Sequence, residues 1–447
     1  MNKHTIAAIA TPYGKGALSI IRVSGDLAIV EINKIFKGKD LTNVEPNTIH
    51  YGNIYENDVF IDEVMIAVYH APKSYTGEMM VEIFGHGGVI ITEQVLKTIL
   101  KLNIEEAKPG EFTERAYLNG KLDLIQAESI MDMIEAEHDY ALSIAKHGLQ
   151  SHISKKIEAF KTQMMDWIAH IEVNIDYPEY ESEYALGHDT IRPQILTFLD
   201  EVNHVLIESK RNRLIREGIK TAIIGQPNVG KSSLLNVLIN EEKAIVTHIP
   251  GTTRDVVEGK IQLKGLTLHL LDTAGIRKTD DHVESIGVEK SKQVIQDSQL
   301  VILVVDASLG LLEDDQKLLE NIQHKPYIIV GNKVDLGNVD LPKDSVYLSA
   351  KNKTGIDALE KAILKRFSLE NIETRDMNFL SNQRQIQLLE EAKSHIEKAL
   401  ITIQAELPID MVQLDLRHAW EALSDISGSR YHESLVDDMF RKFCLGK

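Results

Sequence analysis

GQPNVGKS occupies residues 225–232 and decides the fold of the central part of the chain. It fits the pattern G-x-x-x-x-G-K-[ST], which wraps phosphate groups in backbone N–H donors at the start of a helix. The apolar run at residues 221–224 precedes it, and an amphipathic segment follows from Ser232. This context predicts that Lys231 reaches the terminal phosphates of a nucleotide and that Ser232 ligates Mg²⁺.

Four further segments follow the phosphate loop in the order that a guanine-nucleotide site needs. In the segment DTAG, Asp272 would hold a magnesium-bound water, and Gly275 can approach the terminal phosphate without a Cβ in the way. Thr253, in GTTRD, could complete the magnesium shell. Asp335, in NKVD, can accept from N1 and the exocyclic amine of guanine, a donor pair that adenine lacks, and SAK at residues 349–351 would support the base. The sequence therefore predicts GTP binding.

Strands and helices alternate through this region, from about residue 218 to residue 367. Dense apolar runs, each typical of a buried strand, lie at residues 221–224, 266–271, 300–305, 327–330 and 346–348. Their alternation with amphipathic segments predicts a mostly parallel, doubly wound sheet.

The regions on either side of this one have different patterns of apolar residues. Residues 1–118 hold short apolar runs broken by Gly and Pro, which predicts a small α+β domain. Helical periodicity covers residues 119–212 and returns in residues 376–447. We therefore predict a multidomain α/β protein in which a discontinuous, all-helical domain carries an inserted domain at residues 213–375.

Composition sets outer limits on function. At 447 residues, with 43% hydrophobic and 26% charged residues, the chain is expected to form two to four folded domains. Its sequence predicts neither a transmembrane helix nor a cleaved leader, and we expect a cytoplasmic protein. The single cysteine, Cys444, excludes an internal disulfide framework.

A net charge of −18 makes whole-protein steering toward nucleic acid unfavourable. The basic stretch at residues 210–220 holds five cationic side chains against Glu217 alone. It could form a local nucleic-acid patch, but a solvated helix end is the favoured interpretation. A basic partner could supply the missing surface.

The residues that would carry out GTP hydrolysis are harder to assign from the sequence. Ile276 occupies the position where Ras-like proteins carry the glutamine that orients the attacking water, and an aliphatic side chain cannot polarise water. Glu284 is the nearest good candidate downstream for that role, and an exposed helix acid is the equal alternative. Asn228 offers an oxygen ligand for a monovalent cation in place of an arginine finger, with Arg254 and Arg277 as rivals.

The combination of motifs resembles the MnmE/TrmE-type tRNA modification GTPases over essentially the whole chain. The strings that carry the resemblance are specific, because other GTPases with the same phosphate loop lack them. They are IAAIATPYGKG at 6–16, IIRVSG at 20–25, VEIFGHGG at 81–88, PGEFTERAYLNGK at 109–121, NIDYPE at 174–179 and FCLGK at 443–447.

The resemblance implies an N-terminal folate-binding and dimerising domain, a discontinuous helical domain and an inserted GTPase domain. It implies a homodimer, potassium-stimulated GTP hydrolysis, and Glu284 as the catalytic residue that orients water. The implied potassium ligands are Asn228, Thr247, Ile249 and Thr252, and the implied magnesium ligands are Ser232 and Thr253. The full set of expected GTP contacts is Asn228, Val229, Gly230, Lys231, Ser232, Ser233, Thr247, His248, Ile249, Pro250, Gly251, Thr252, Thr253, Asp272, Thr273, Ala274, Gly275, Asn332, Lys333, Asp335, Ser349, Ala350 and Lys351.

The family's chemistry involves further groups. Its members work with an FAD- and NADH-dependent partner of the MnmG/GidA type, in a heterotetramer or larger complex. They install an aminomethyl or carboxymethylaminomethyl group at C5 of the wobble uridine of certain tRNAs. A tetrahydrofolate derivative, 5-formyltetrahydrofolate or 5,10-methylenetetrahydrofolate, supplies the one-carbon unit. The folate positions map to Arg22, Glu82, Lys121 and Lys447. A carboxylate such as Glu82 suits the amidine-like edge of a pterin, and the cations suit the carboxylates of its glutamate tail.

Two positions and two rival functions stay open. Cys444 could take part in the one-carbon chemistry, although a small buried hydrophobe is the commoner role for a lone cysteine. His86 could contact the cofactor or be an ordinary loop residue. The rival functions are a ribosome-assembly switch GTPase and a folate-dependent transferase that the GTPase domain only regulates.

Overall fold

The computed structural model describes residues 4–136, 139–176, 188–240, 257–263, 266–271, 293–367, 378–429, 439–441, 443 and 446. The chain divides into two compact units, one made of residues 1–131, 149–185 and 408–447 and the other of residues 132–148 and 186–407. Within the described ranges, none of the helices combines the length and the apolar character needed to span a bilayer.

The first unit contains a mostly antiparallel sheet of seven strands in the described part of the chain. The strands are β1 (Ile6–Ile9), β2 (Leu18–Ser24), β3 (Phe36–Lys37), β4 (Thr48–Glu56), β5 (Val59–Tyr69), β6 (Met80–His86) and β7 (Glu105–Glu106). Their order across the sheet is β3-β4-β5-β6-β2-β1-β7. This order places β2 between β1 and β6, so that side chains of the first strands and of residues near 82 share one surface.

One face of this sheet forms the core. Alternate residues of the central strands, among them Ile21, Ile66 and Ile83, pack against α1 (Ala28–Ile35) and α2 (Val89–Leu100). Because successive side chains of a strand point to opposite faces, the neighbours of these residues lie on the other face of the sheet. Arg22 and Glu82, two of the predicted folate positions, are on that other face, directly opposite one another in the β2–β6 register.

The same unit holds helices from both ends of the chain. They are α3 (Glu111–Leu118), α4 (Leu124–Glu135, which continues past the boundary of the unit), α6 (His152–Asp176) and α12 (Ile409–Ser427). Helix α6 packs against α12. Beside this pair the buried Lys161 donates to Ser429 Oγ at 2.8 Å. A segment before the inserted domain therefore folds against a segment after it, as a discontinuous helical domain requires.

The second unit is built on a sheet of six strands within the described ranges, in the order β13-β12-β11-β8-β10-β9. The strands are β8 (Ile219–Ile224), β9 (Val257–Leu263), β10 (Leu266–Leu271), β11 (Leu300–Asp306), β12 (Tyr327–Asn332) and β13 (Val346–Tyr347). All neighbours are parallel except β9, which pairs antiparallel with β10. The carboxyl ends of β8, β11, β12 and β13 therefore meet at one edge of the sheet.

Strand β11 shows why the apolar runs predicted this sheet correctly. Leu300, Ile302 and Val304 belong to the core cluster on one face, and Val301 and Leu303 belong to the cluster on the other. A strand that is buried on both faces has no need of polar residues, and its sequence is a continuous run of Leu, Val and Ile. The doubly wound arrangement is thereby confirmed.

Helices complete the second unit: α5 (Asp139–Leu149, whose last residue lies past the boundary of the unit), α7 (His188–Glu217), α8 (Lys231–Asn240), α9 (Glu313–Ile322), α10 (Ile356–Arg366) and α11 (Gln383–Gln404). Helix α7 packs against α11. Near this pair Ser209 Oγ accepts from the Leu380 backbone N–H at 2.7 Å. Helix α7 has 30 residues and passes into β8 through Gly218 alone, at φ +74°.

The predicted fold class is confirmed: an α+β sheet domain, helices from both sides of the insertion, and an inserted doubly wound α/β domain. The predicted boundaries at residues 118, 212 and 375 stay predictions. Strand β9 has no counterpart among the apolar runs predicted for the inserted domain. Much of the end of the predicted helical stretch at residues 376–447, including residues 430–438, lies outside the described residues.

Candidate functional site

The phosphate loop joins the end of β8 to the start of α8 and has the backbone that its glycines allow. Gly225 has φ +148°, and a Cβ there would lie 2.1 Å from Val304 O. Gly230 has φ +96°, and a Cβ there would lie 2.2 Å from Asn332 Nδ2. A side chain at either glycine would clash with fixed atoms, so the loop is a tight backbone cradle at the N-terminus of a helix. Such a cradle fits the phosphates of a nucleotide.

Lys231, at the start of α8, folds back over the loop. Its Nζ donates to Gly225 O at 2.9 Å and to Gln226 O at 2.7 Å. Burial lowers the pKa of this amine. The loop carbonyls hold the ammonium above the cradle, where a phosphate can exchange for them as a better partner. Ser232 and Ser233 are exposed on the first turn of α8.

Asn332, at the end of β12, joins the phosphate loop to the loop that follows β13. Its Nδ2 donates to Val229 O at 2.9 Å, and its Oδ1 accepts from the Ala350 backbone N–H at 3.0 Å. The residue is 2% exposed, so both bonds are shielded from water. One buried amide thus fixes the distance between the phosphate cradle and residues 349–351.

Asp335 lies three residues further along and presents its carboxylate to solvent. The Ser349 hydroxyl donates to its Oδ1 at 2.5 Å. This hydrogen bond is the main cause that lowers the pKa of Asp335. The ionised carboxylate keeps free lone pairs, which can accept from two neighbouring N–H donors of a flat ring. Guanine has that donor pair.

The structure brings together the described part of the predicted GTP contacts. The Asn332 side chain contacts Val229, Gly230 and Ala350, and the Ser349 hydroxyl donates to Asp335. Asn228 is exposed at φ +64° on the phosphate loop. Several predicted residues lie outside the described ranges: Thr247, His248, Ile249, Pro250, Gly251, Thr252, Thr253, Asp272, Thr273, Ala274, Gly275, Glu284, Cys444 and Lys447. Arg254 and Arg277 do so as well.

A second polar cluster lies on the face of the N-terminal sheet that is opposite α1 and α2. Arg22 Nε and Nη2 lie 2.9 and 2.8 Å from Glu82 Oε1, and both side chains are about one-sixth exposed. The Tyr69 hydroxyl donates to Glu82 Oε2 at 3.3 Å. The Arg22 guanidinium lies 5.0 Å from the ring centroid of Tyr75 and 5.6 Å from that of Phe112. The Glu82 carboxylate is therefore partly buried and has aromatic neighbours. Its Oε1 is fully engaged by Arg22.

The other predicted folate residues are placed less directly. Lys121 is exposed just after α3, and its Nζ donates to Pro72 O at 3.1 Å. Arg22 Nη1 also donates to Gly446 O at 3.2 Å, so Gly446 lies beside this cluster. His86 is exposed at the end of β6, where its Nδ1 lies 2.7 Å from Oδ1 of the buried Asp62. That hydrogen bond raises the pKa of His86.

Sequence reasoning missed four residues at these two sites: Tyr69, Tyr75, Phe112 and Asp306. The first three surround the Arg22–Glu82 pair through long-range packing, for which the sequence carries no signal. Asp306 did have a signal in the sequence, because it directly follows the apolar run at 300–305, just as Asn332 comes shortly after the next run. Polar residues at the carboxyl ends of parallel strands meet at one edge.

The basic stretch at residues 210–220 is largely neutralised in the structure. Lys210 pairs with Glu390, Arg211 lies near Glu208 at 3.5 Å, and Arg213 pairs with Glu217 at 2.9 Å. Arg216 pairs with Asp132 as well as with Glu217. Most of these cations serve the helix and its neighbours, which agrees with the favoured interpretation of a helix end.

The cradle, the buried Asn332 amide and the Asp335 carboxylate lie at the carboxyl edge of a doubly wound sheet. Together they define a P-loop guanine-nucleotide-binding domain. The model for the TrmE N-terminus, described as that of a GTP-binding protein, matches residues 5–121, and the model for the MnmE helical domain matches residues 124–444. The chain belongs to the MnmE family of tRNA modification GTPases.

Curated relatives match along their whole length. The tRNA modification GTPase MnmE of Acholeplasma laidlawii is 49% identical, with 100% of both chains covered. The protein of the same name from Bacillus cytotoxicus is 46% identical, again over 100% of both chains. Among solved structures, a variant of Aquifex aeolicus Era bound to GDP and AlF4⁻ is 26% identical, covering 40% of this chain and 66% of that chain with a TM-score of 0.26. The two full-length relatives confirm the predicted family and, with it, the enzyme class.

Proposed function

We propose that this chain binds GTP between the phosphate loop and Asp335 and hydrolyses it as part of tRNA modification. The observation that carries the proposal is the Asn332 side chain, which ties the phosphate loop to residues 349–351. Ser232 on the exposed first turn of α8, together with Thr253, would hold Mg²⁺. The metal would neutralise charge on the phosphates.

The proposed hydrolysis uses a potassium ion where other GTPases use an arginine. Asn228, Thr247, Ile249 and Thr252 would hold the ion, and Glu284 would orient the attacking water. Support comes from Asn228, an exposed residue of the phosphate loop with φ +64°. The other proposed ligands and Glu284 rest on the resemblance alone.

Multiple-turnover GTP hydrolysis by the full chain should therefore depend on the cation. We expect at least about tenfold faster turnover in potassium than in sodium at equal ionic strength, because a fixed cation offsets transition-state charge. Glu284→Ala should remove about a hundredfold from kcat. Phosphate release measured in the two salts checks both expectations.

A matched control is Glu320→Ala, which removes an exposed acid of the same domain outside the site. It should keep the rate and the cation dependence of the unmodified chain. Equal, slow rates in potassium and sodium would overturn the cation mechanism. That result would instead favour a switch GTPase that waits for an activator, such as the ribosome-assembly alternative.

We propose further that the chain acts in the cytoplasm as a homodimer with an FAD- and NADH-dependent partner of the MnmG/GidA type. The pair would modify C5 of the wobble uridine of certain tRNAs, using 5-formyltetrahydrofolate or 5,10-methylenetetrahydrofolate. Support comes from the family assignment and from the charge of −18, which leaves tRNA attraction to a more basic partner. Cys444, three residues before the proposed folate residue Lys447 in the sequence, stays a candidate for the one-carbon chemistry.

The proposed folate site comprises Arg22, Glu82, Lys121 and Lys447. The Glu82 carboxylate, a hydrogen-bond acceptor, fits the N–H groups of a pterin. Glu82 Oε1 is held by Arg22, while Oε2 accepts, from the described residues, only the 3.3 Å hydrogen bond of the Tyr69 hydroxyl. A pterin edge with two N–H donors could take that bond's place. A folate would supply a one-carbon unit at this site.

Replacing Glu82 by Gln should weaken binding of 5-formyltetrahydrofolate about tenfold, because an amide replaces a charged acceptor and also leaves Arg22 without its carboxylate. Isothermal titration calorimetry on the full chain measures the change. Glu63→Gln, on the neighbouring strand β5 and exposed, is the matched control and should bind as the unmodified chain does. Equal affinity in the Glu82→Gln variant would remove Glu82 from the proposed site.

A further inference from the structure

Asp306 closes strand β11 immediately beside Asn332. The two residues are direct partners in the parallel register of β11 and β12. The next backbone N–H, that of Ala307, donates to Asn332 O at 2.7 Å. Asp306 therefore lies at the same edge of the sheet as the nucleotide site, although none of the motifs of the sequence includes it.

The two carboxylate oxygens of Asp306 have separate partners. Oδ1 accepts from the Ser308 backbone N–H at 3.0 Å and from the Ser308 hydroxyl at 2.6 Å. Oδ2 accepts from Lys333 Nζ at 2.8 Å. The Asp306 side chain is 12% exposed and that of Lys333 is 31% exposed, so the pair is largely shielded from solvent. Ser308 thus fixes the carboxylate, and the carboxylate holds the ammonium.

Lys333 lies between the buried Asn332 and the base-accepting Asp335, with φ +66°. A free lysine side chain samples many rotamers, and ordering it on ligand binding costs free energy. The contact with Asp306 orders this side chain before any ligand arrives. It also neutralises a carboxylate close enough to raise the pKa of Asp335, a minor influence beside the hydrogen bond from Ser349.

We propose that Asp306 is a positioning residue for guanine-nucleotide binding, acting through Lys333. This inference rests on the proposed function, because it assumes that the site takes a guanine nucleotide. The competing explanation is a structural ion pair that only secures the turn after β11. The two explanations differ in one respect: positioning requires that the effect of Asp306 disappear when the Lys333 ammonium is absent.

A double-mutant cycle on the full chain tests the proposal, with GDP binding measured by isothermal titration calorimetry in the presence of Mg²⁺. Asp306→Asn keeps an acceptor for Ser308 but removes the charge that holds Lys333, and we expect about tenfold weaker binding. Lys333→Met keeps the aliphatic stem without the ammonium. The double variant should bind within about twofold of Lys333→Met alone, since coupled residues are not additive.

The matched control is Asp314→Asn. Asp314 forms a lysine pair of the same 2.8 Å length with Lys317, on the exposed face of α9 in the same domain. It should leave GDP affinity unchanged. Steady-state GTP hydrolysis adds a second readout: the KM of Asp306→Asn should rise by the same factor as its dissociation constant, whereas a purely structural defect lowers kcat by reducing the folded fraction.

Should Asp306→Asn unfold at the assay temperature, Ser308→Ala supplies a milder test. It removes the hydroxyl bond to Oδ1 and keeps the bond from the backbone N–H, and we expect about two- to threefold weaker GDP binding. Unchanged GDP affinity in Asp306→Asn, or losses that multiply in the double variant, would overturn the inference while leaving the proposed function intact. An unmodified chain that binds neither GDP nor GTP would overturn both.

Discussion

Replacing Asp335 by Asn should abolish GTP binding and create binding of xanthosine triphosphate. The carboxylate can accept from both N1–H and the exocyclic amine of guanine, and an amide can accept from only one of them. The amide N–H₂ would face the guanine amine, donor against donor. Loss of a charge-assisted pair predicts about a thousandfold weaker GTP binding.

Xanthine carries a carbonyl oxygen where guanine carries the amine, so the new amide donor gains an acceptor. Nucleotide titrations with GTP, ATP and xanthosine triphosphate measure the exchange of specificity. Asp340→Asn, an exposed acid of the same region, is the control and should retain GTP binding. A variant that folds normally and still binds GTP as tightly as before would show that Asp335 does not contact the base.

Replacing Asn332 by Ala should weaken GTP binding about a hundredfold and destabilise the inserted domain by about 3 kcal/mol. The substitution strands two buried groups, Val229 O and the Ala350 N–H, and each unsatisfied group costs about 1–3 kcal/mol. It also releases the phosphate loop from residues 349–351, so that binding must then pay for ordering both. Denaturant unfolding and nucleotide titration give the two numbers.

Asn338→Ala provides the matched comparison, because Asn338 is exposed eight residues before Val346 and lies outside the proposed site. It should change neither quantity. If Asn332→Ala lost stability but kept its nucleotide affinity, the amide would be a structural bond only. The assignment of the nucleotide site to the carboxyl edge of the sheet would then lose its main support.

The inserted domain was predictable because its strands are buried on both faces. Residues 300–305 form an unbroken apolar run, which is the pattern of a strand buried on both faces. Strand β4 of the N-terminal domain gives no such run, because its first half alternates half-buried and exposed residues such as His50 and Tyr51. Strand β9 lies at the edge of its sheet and includes Gly259 and Lys260, so its apolar signal is weak.

The two candidate sites also differ in how far they could be predicted from the sequence. The phosphate loop was predictable because its chemistry is local: consecutive residues and a strand on one side specify it. The Arg22–Glu82 pair depends on the β2–β6 register, which joins residues 60 positions apart. Arg22 was assigned to the carboxylates of a ligand, and in the structure its nearest carboxylate is Glu82. Pairings of this kind follow from tertiary structure and not from spacing.

Helix α7 has a mechanical consequence. Its 30 residues extend about 45 Å at 1.5 Å per residue, and Gly218 alone separates its last residue from the strand that ends in the phosphate loop. A Cβ on Gly218 would lie 2.6 Å from Thr267 O, so this joint cannot be stiffened by a larger residue without moving β10. A rotation of ten degrees at the joint would carry the far end of a rigid rod of this length by about 8 Å. A small rotation at Gly218 would therefore displace the N-terminal end of α7 much further than it displaces the phosphate loop, which lies close to the joint.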